Sequence, residues 1–315
     1  MSDVPFTHHL LVYLRGVAMG VAELIPGVSG GTIAFITGIY QHLLESLRRI
    51  DANAFRIFWK SGPRAFWEHL DLTFLLLLLA GMVTSIFLLA ALVRTLLQSY
   101  PVLVWSFFFG LILASAVFVG RRVDPWSRMS VGAAAIGVLL GAVAAQLSPV
   151  ELEPGPFNIF AAGAVAICAW LLPGVSGSFV LLLLGMYGHV MTALADRDLG
   201  FLSLMGAGCL VGLVLFARML VWALRSFPAA TLASLTGFML GAAAKLWPWQ
   251  KTLTYYLDAD GEAVALRAVP VTPLHFQELT GEEPLVLGAL ALMLVGIAIV
   301  ALLGRLGSDH GVSGR

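Results

Sequence analysis

The sequence predicts an all-α polytopic membrane protein built as an inverted-topology repeat, with two re-entrant (broken) helical hairpins and about six full transmembrane helices. Three observations carry that expectation. Of 315 residues, 59% are hydrophobic and only 11% charged, with a mean hydropathy of +0.93, whereas soluble domains carry about 25% charged residues. Several runs of about twenty residues hold few or no charges, the length needed to cross a bilayer core. The string Pro-Gly-Val-Ser-Gly is written twice, in "AELIPGVSGGT" (Ala22–Thr32) and "AWLLPGVSGSF" (Ala169–Phe179), each time inside a long apolar stretch.

Taken in order, "MSDVPFTHHLLVYLRG" runs straight into the first apolar segment without a small-residue cleavage site, so no cleavable signal peptide is expected. The stretch 9–47 is apolar but interrupted by the motif and forms the first hairpin. Segment 51–70 includes "FRIFWKSGPRAFWEHL" (Phe55–Leu70), which mixes aromatics and bases. It reads either as a segment lying in the headgroup layer or as a solvated loop, and Pro63 limits it to short helical pieces. Spans at 72–97, 101–120 and 129–147 complete repeat one, residues 1–147. Repeat two, 148–315, contains the second hairpin 158–195, spans 201–226 and 229–246, an external loop 247–284 and a last span 285–304. The two cysteines, Cys168 and Cys209, fall inside apolar segments and read as small core residues. No metal, no cofactor and no nucleic-acid partner is expected.

Net charge is zero, so the signal is where the charges sit. The 48–71 loop carries Arg48, Arg49, Arg56, Lys60 and Arg64, and the 121–128 loop carries Arg121, Arg122 and Arg128. Loop 148–157 has only Glu151 and Glu153, and 247–284 is rich in acids. Basic loops stay cytoplasmic, which puts both termini in the cytoplasm if each interrupted stretch returns to its side of origin.

Laying Glu23–Leu47 over Trp170–Leu194 gives ten identities: Leu24, Pro26, Gly27, Val28, Ser29, Gly30, Gly38, Tyr40, His42 and Leu47 with their partners 147 positions on. A weaker match, 99–116 against 226–243, follows at an offset of 127. Three spans separate the motifs, an odd number, so the second copy enters from the opposite face. Inverted repeats with helices broken at matching places are the pattern of secondary transporters, whose site lies near the midplane.

Proline removes a donor and stops the arriving helix, near Ile25 in the first copy and at Leu172 in the second. Glycines let the chain reverse. Ser29 or Thr32, and Ser176 or Ser178, then cap a new helix, the first running to about Leu47. Non-helical backbone at membrane depth survives only where protein or a polar cavity lines it. The two crests, Pro26, Gly27, Val28, Ser29, Gly30, Gly31 and Thr32, and Pro173, Gly174, Val175, Ser176, Gly177 and Ser178, are therefore expected to face each other. Their free N–H groups, with the positive ends of the outgoing helices, form the candidate phosphate-binding nests. No P-loop lysine accompanies them.

Glu23 sits in an apolar arm, where an ionisable group defaults to a functional hypothesis. Desolvation favours its neutral form, making it the candidate proton-coupling residue; the alternative is that it caps crest amides. The second copy has Trp170 there instead. Arg94 and Arg218 either snorkel to the nearest interface or receive an anionic headgroup. His42 and His189 read as interfacial.

At "ELIPGVSGGTIAFITGIY" and "LLPGVSGSFVLLLLGMYGHV", with "GFMLGAAAKLWPW" (Gly237–Trp249) downstream, the chain resembles the PopT-type polyprenyl-phosphate translocase family, formerly a bacterial integral-membrane family of unknown function. The resemblance covers almost the whole chain. It implies an inner-membrane transporter, not an enzyme, that returns undecaprenyl phosphate from the outer to the cytoplasmic leaflet, drawing on bilayer lipids and a proton or sodium ion as partners. The family's motif maps onto Glu23, Pro26–Thr32 and Pro173–Ser178, with Ser178 standing where the first copy has Gly31. Two rivals are weighed. A lipid-diphosphate phosphatase would need an arginine after the motif serine, and this chain has Gly30 and Gly177. A carrier of a small soluble anion would show no dependence on prenyl length.

Overall fold

The computed structural model describes residues 6–24, 29–147, 150, 152–257 and 263–309. The first half runs α1 (Phe6–Glu23), α2 (Gly30–Ile36), α3 (Tyr40–Arg48), α4 (Ala52–Leu70), α5 (Leu72–Ser99), α6 (Pro101–Gly120) and α7 (Arg128–Gln146). The second runs α8 (Pro156–Leu171), α9 (Gly177–Leu183), α10 (Tyr187–Ala195), α11 (Leu199–Ser226) and α12 (Pro228–Ala242, continued by a 3-10 turn, Ala243–Leu246). A hairpin of β1 (Gln250–Leu257) and β2 (Ala263–Pro270), then α13 (Pro273–Thr280) and α14 (Val286–Asp309), completes it. Among the described residues, six helices are long and apolar enough to cross a membrane: Leu72–Ser99, Pro101–Gly120, Arg128–Gln146, Leu199–Ser226, Pro228–Leu246 and Val286–Gly304. They match the six expected spans to within a few residues. The chain is an all-α integral membrane protein in outline.

Glycines decide which helices touch. Gly16 and Gly20 of α1 lie against the main chain of α5 at Leu78 and Met82, and a Cβ at either would strike those backbones. Gly208 and Gly212 of α11 meet Phe160 and Ala164 of α8 in the same way. Gly137 and Gly141 of α7 interlock with Gly237 and Gly241 of α12, and Gly110 of α6 with Met293 of α14. Contacts rise together along both partners, so each pair runs parallel. Without a hydrophobic drive between helices in lipid, such close backbone approach is what holds them. Two pairs stay inside a half, α1–α5 and α8–α11; two cross between halves, α6–α14 and α7–α12. The halves are interlocked, not side by side. Met19, Ile36, Leu44, Ile112, Leu171 and Met239 are fully buried in one core that joins both.

Two features differ from expectation and one agrees with it. Each outgoing arm is two short helices instead of one: Gly38 and Gly185, partners in the repeat, take φ of +76° and +69°, a left-handed conformation that ends a helix. α9 and α10 meet at 106°. Segment 52–70 agrees with the expected short helical pieces: it is two helices broken at Gly62 before Pro63, the first capped by Asp51, whose carboxylate accepts from the Ala54 N–H at 2.8 Å. Its aromatic side chains stand outward, with Trp59 81% and Phe55 61% exposed. The 247–284 stretch is structured, not a bare loop: the Trp247 and Trp249 indoles donate at 2.8 Å to the Val271 and Pro284 carbonyls and tie it down.

Candidate functional site

The two motif copies meet. Ser29 caps α2 from extended backbone (φ −113°, ψ 136°), its Oγ accepting from the Gly31 N–H at 3.1 Å and donating at 3.0 Å to the main-chain oxygen of Trp170. The Gly174 N–H donates to Thr32 Oγ1 at 3.1 Å. Tyr40, buried on α3, donates its hydroxyl to the Leu171 carbonyl at 2.9 Å. Ser29, Thr32 and Ser176 have no exposed surface, and Gly30, Gly31, Pro173, Gly174, Val175 and Gly177 are buried with them. Pro26, Gly27 and Val28 lie outside the described residues.

The joint needs its glycines. A Cβ on Gly31 would come within 3.0 Å of both the Leu171 and Trp170 carbonyls. Gly174 holds φ of +99°, and a Cβ there would press on Met239 of α12 at 3.3 Å. These are the places where close backbone approach requires glycine.

Glu23 ends α1 beside the joint. Its Oε1 accepts from the Gly30 N–H at 2.5 Å. Glu23 remains partly exposed. Of the two expected roles, capping a crest amide is the one seen here. The matched position, Trp170, takes part through its main-chain oxygen, which accepts from Ser29.

For three of the crest amides the expectation that they are free is corrected. Gly30, Gly31 and Gly174 all give their N–H to side-chain oxygens, because an unpaired donor in an apolar interior costs about 1–3 kcal/mol. The outgoing helices α2 and α9 are seven residues each, so their end charge is smaller than that of a long helix. The two caps also differ. Ser176 caps α9 without a side-chain bond to it, and its hydroxyl instead shares a 2.7 Å hydrogen bond with Ser178, the residue that replaces Gly31.

The cations lie off the joint. Arg94 is exposed on α5. Arg218, partly buried on α11, donates from Nη2 to the Ile50 carbonyl at 2.9 Å and lines a cavity of about 670 Å³ with Arg48, Arg49, His69 and Arg225. His42 is held to Asp71 at 2.7 Å and stacks on Phe74; His189 is exposed. Neither touches the crests. Cys168 and Cys209 are free thiols bonded to helix carbonyls, and among the described residues no cluster of three His, Cys, Asp or Glu is placed to hold a metal.

One residue escaped the sequence reading. Lys245, partly buried in the turn that extends α12, sets its Nζ 3.3 Å from the ring centroid of Phe179, next to Ser178, a cation–π contact. The signal was present: a lysine inside the apolar run "GFMLGAAAKLWPW" is an intramembrane charge of the kind that marks function.

A family model described as undecaprenyl phosphate translocase-like matches residues 19–264, a range that holds both crests. A polyprenyl-phosphate transporter of Vibrio cholerae serotype O1 is 43% identical over 299 residues, covering 93% of this chain and 95% of that protein. A polyprenyl-phosphate transporter of Staphylococcus aureus is 30% identical over 253 residues, 75% of this chain and 85% of that one. No solved structure matches the chain.

Proposed function

This chain belongs to the undecaprenyl phosphate translocase-like family, and from that premise we propose that it is a transporter, not an enzyme, returning undecaprenyl phosphate from the outer to the cytoplasmic leaflet of the bacterial inner membrane so that the carrier lipid is reused in envelope and peptidoglycan synthesis. The observation that carries the reading is the hydrogen-bonded contact between the two crests, which gathers serine, threonine and glycine donors from both motif copies into one buried place.

A phosphate monoester carries about −1.5 to −2 charge at neutral pH, and moving it bare through hydrocarbon would cost tens of kcal/mol on a Born estimate. A protein that lowers this barrier must offer donors at depth while the prenyl tail stays in lipid. In the closed joint those donors are satisfied by neighbours. Glu23 holds the Gly30 amide as a resident anion would. Protonating Glu23 weakens that charge-assisted bond and releases the donor to the phosphate, so binding of lipid and gain of a proton are linked. Sodium at the carboxylate would serve the same end.

The orientation follows from charge and packing. Arg225 of α11 reaches Glu45 of α3 at 2.5 Å and Arg218 reaches Ile50, which supports placing the end of α11 on the same face as the basic 48–71 segment, the cytoplasmic one. The parallel pairs α1–α5 and α8–α11, which would start from opposite faces, support reading 1–147 and 148–315 as inverted repeats with re-entrant hairpins. The outward aromatics of α4 suit a segment resting in the cytoplasmic headgroup layer.

Reconstitution into vesicles tests the proposal, following the leaflet sidedness of undecaprenyl phosphate with and without a pH gradient and, separately, a sodium gradient. Protein-dependent movement that one gradient accelerates is the expected result. Rates equal to those of empty vesicles would end it, and release of inorganic phosphate from a lipid diphosphate would replace it with the enzyme reading.

A further inference from the structure

A second polar place lies apart from the crests, where the end of α3, both ends of α4 and the last two turns of α11 enclose the 670 Å³ cavity. Four arginines line it: Arg48 and Arg49 from α3 and its cap, Arg218 and Arg225 from α11. The acids nearby are Asp51 on the wall, whose carboxylate already caps α4, and Glu45, which is shared between Arg48 at 3.2 Å and Arg225 at 2.5 Å. Two positive charges are left over. Arg49 donates to the His69 carbonyl and Arg218 to Ile50, bonds that fix the guanidinium planes without neutralising them.

The structure assigns to this cavity a phosphate-monoester site, the headgroup station at the α3–α11 face of the molecule. Forked guanidinium groups fit phosphate oxygens two at a time, and the surplus of two charges matches a phosphate near its dianionic form. Val221 and Trp222 form the apolar part of the wall, with Trp222 60% exposed on the outside of α11, so a headgroup in the cavity can leave its tail against the helix surface. The lipid source of the phosphate rests on the transport reading above; the phosphate chemistry of the cavity does not.

The test uses the purified full chain in nanodiscs, titrated with a short-chain prenyl monophosphate and, in a second arm, with inorganic phosphate. Arg48→Gln/Arg49→Gln is compared with Lys60→Gln/Arg64→Gln, the same loss of charge on α4 outside the cavity wall. The first pair is expected to raise the Kd for the prenyl monophosphate at least tenfold and the second to leave it within twofold. Unchanged affinity in the Arg48/Arg49 variant, or equal loss in both, overturns the site. Should the glutamine pair not fold, Arg48→Lys/Arg49→Lys keeps the charge but loses the fork, and a Kd raised threefold or more is the expected reading; no change overturns it. Prenyl phosphate binding tighter than inorganic phosphate identifies the lipid headgroup as the source, and equal binding identifies soluble phosphate, each supporting the phosphate site. Wild-type vesicles that move no lipid would sink the transport reading alone, since the binding arms are read without transport.

Discussion

Ser29 and Trp170 are 141 positions apart, and the hydroxyl of the first is bonded to the main-chain oxygen of the second at 3.0 Å. A side chain from one motif copy thus completes the backbone of the other. Ser29→Ala removes that bond and the cap on Gly31 together, leaving a buried carbonyl and amide unpaired at about 1–3 kcal/mol each. Lipid translocation in the sidedness assay is expected to fall at least tenfold, with a lowered Tm in detergent; wild-type values in both would remove Ser29 from the joint.

Glu23→Gln keeps an oxygen that can accept from Gly30 but cannot gain a proton. The variant is expected to fold and to retain basal exchange while losing its response to a pH gradient. Glu23→Ala strips the acceptor as well and should also lower Tm. A gradient response intact in Glu23→Gln would assign Glu23 to capping alone.

Gly31→Ala brings a methyl group against two carbonyls of the opposite crest, and overpacking of this kind costs about 1–3 kcal/mol. Gly132 on α7 has open space around its Cβ direction and serves as the matched control. Translocation should collapse in the first variant and stay within twofold in the second.

Gly38 and Gly185 hold left-handed backbone at equivalent points of the two outgoing arms. Alanine at either costs about 1–2 kcal/mol and favours a straight arm. The double variant is expected to unfold at lower temperature and to transport poorly; wild-type Tm in the double variant would count against the break.

In a chain freed of Cys168 and Cys209, a cysteine at Ser226 is expected to react with an impermeant thiol reagent only from the cytoplasm, and one at Gly281 only from outside. Labelling of both from one side would overturn the inverted orientation.

The spans were legible because about twenty uncharged residues admit few other readings, and the motif showed itself because it was written twice. The helix pairing was legible too, in a signal that went unread: Gly16/Gly20, Gly137/Gly141, Gly208/Gly212 and Gly237/Gly241 all repeat at four-residue spacing, the small-residue pattern of close helix contact. The break at Gly38 stood among the repeat's identities, yet glycine alone does not report its φ. The arginine-lined cavity was illegible for a different reason. Arg48 and Arg225 are 177 positions apart, and only the folded path of α11 brings them to one acid. Which oxygens take the crest amides was not legible, because a run of open donors does not show what reaches them: Glu23 and Ser29 take the Gly30 and Gly31 amides within the first copy, and Thr32 takes that of Gly174 in the second.

That each crest is finished by the other has a bearing on the idle protein. A membrane holding an ion gradient tolerates no standing water file, and under the proposed re-entrant hairpins two half-depth clefts would lie back to back at this joint. Serine and threonine latched onto the facing backbone make a plug that is dry at rest yet held by bonds a phosphate can exchange one for one. Loosening it without cargo should therefore appear first as ion leak, before any loss of lipid traffic.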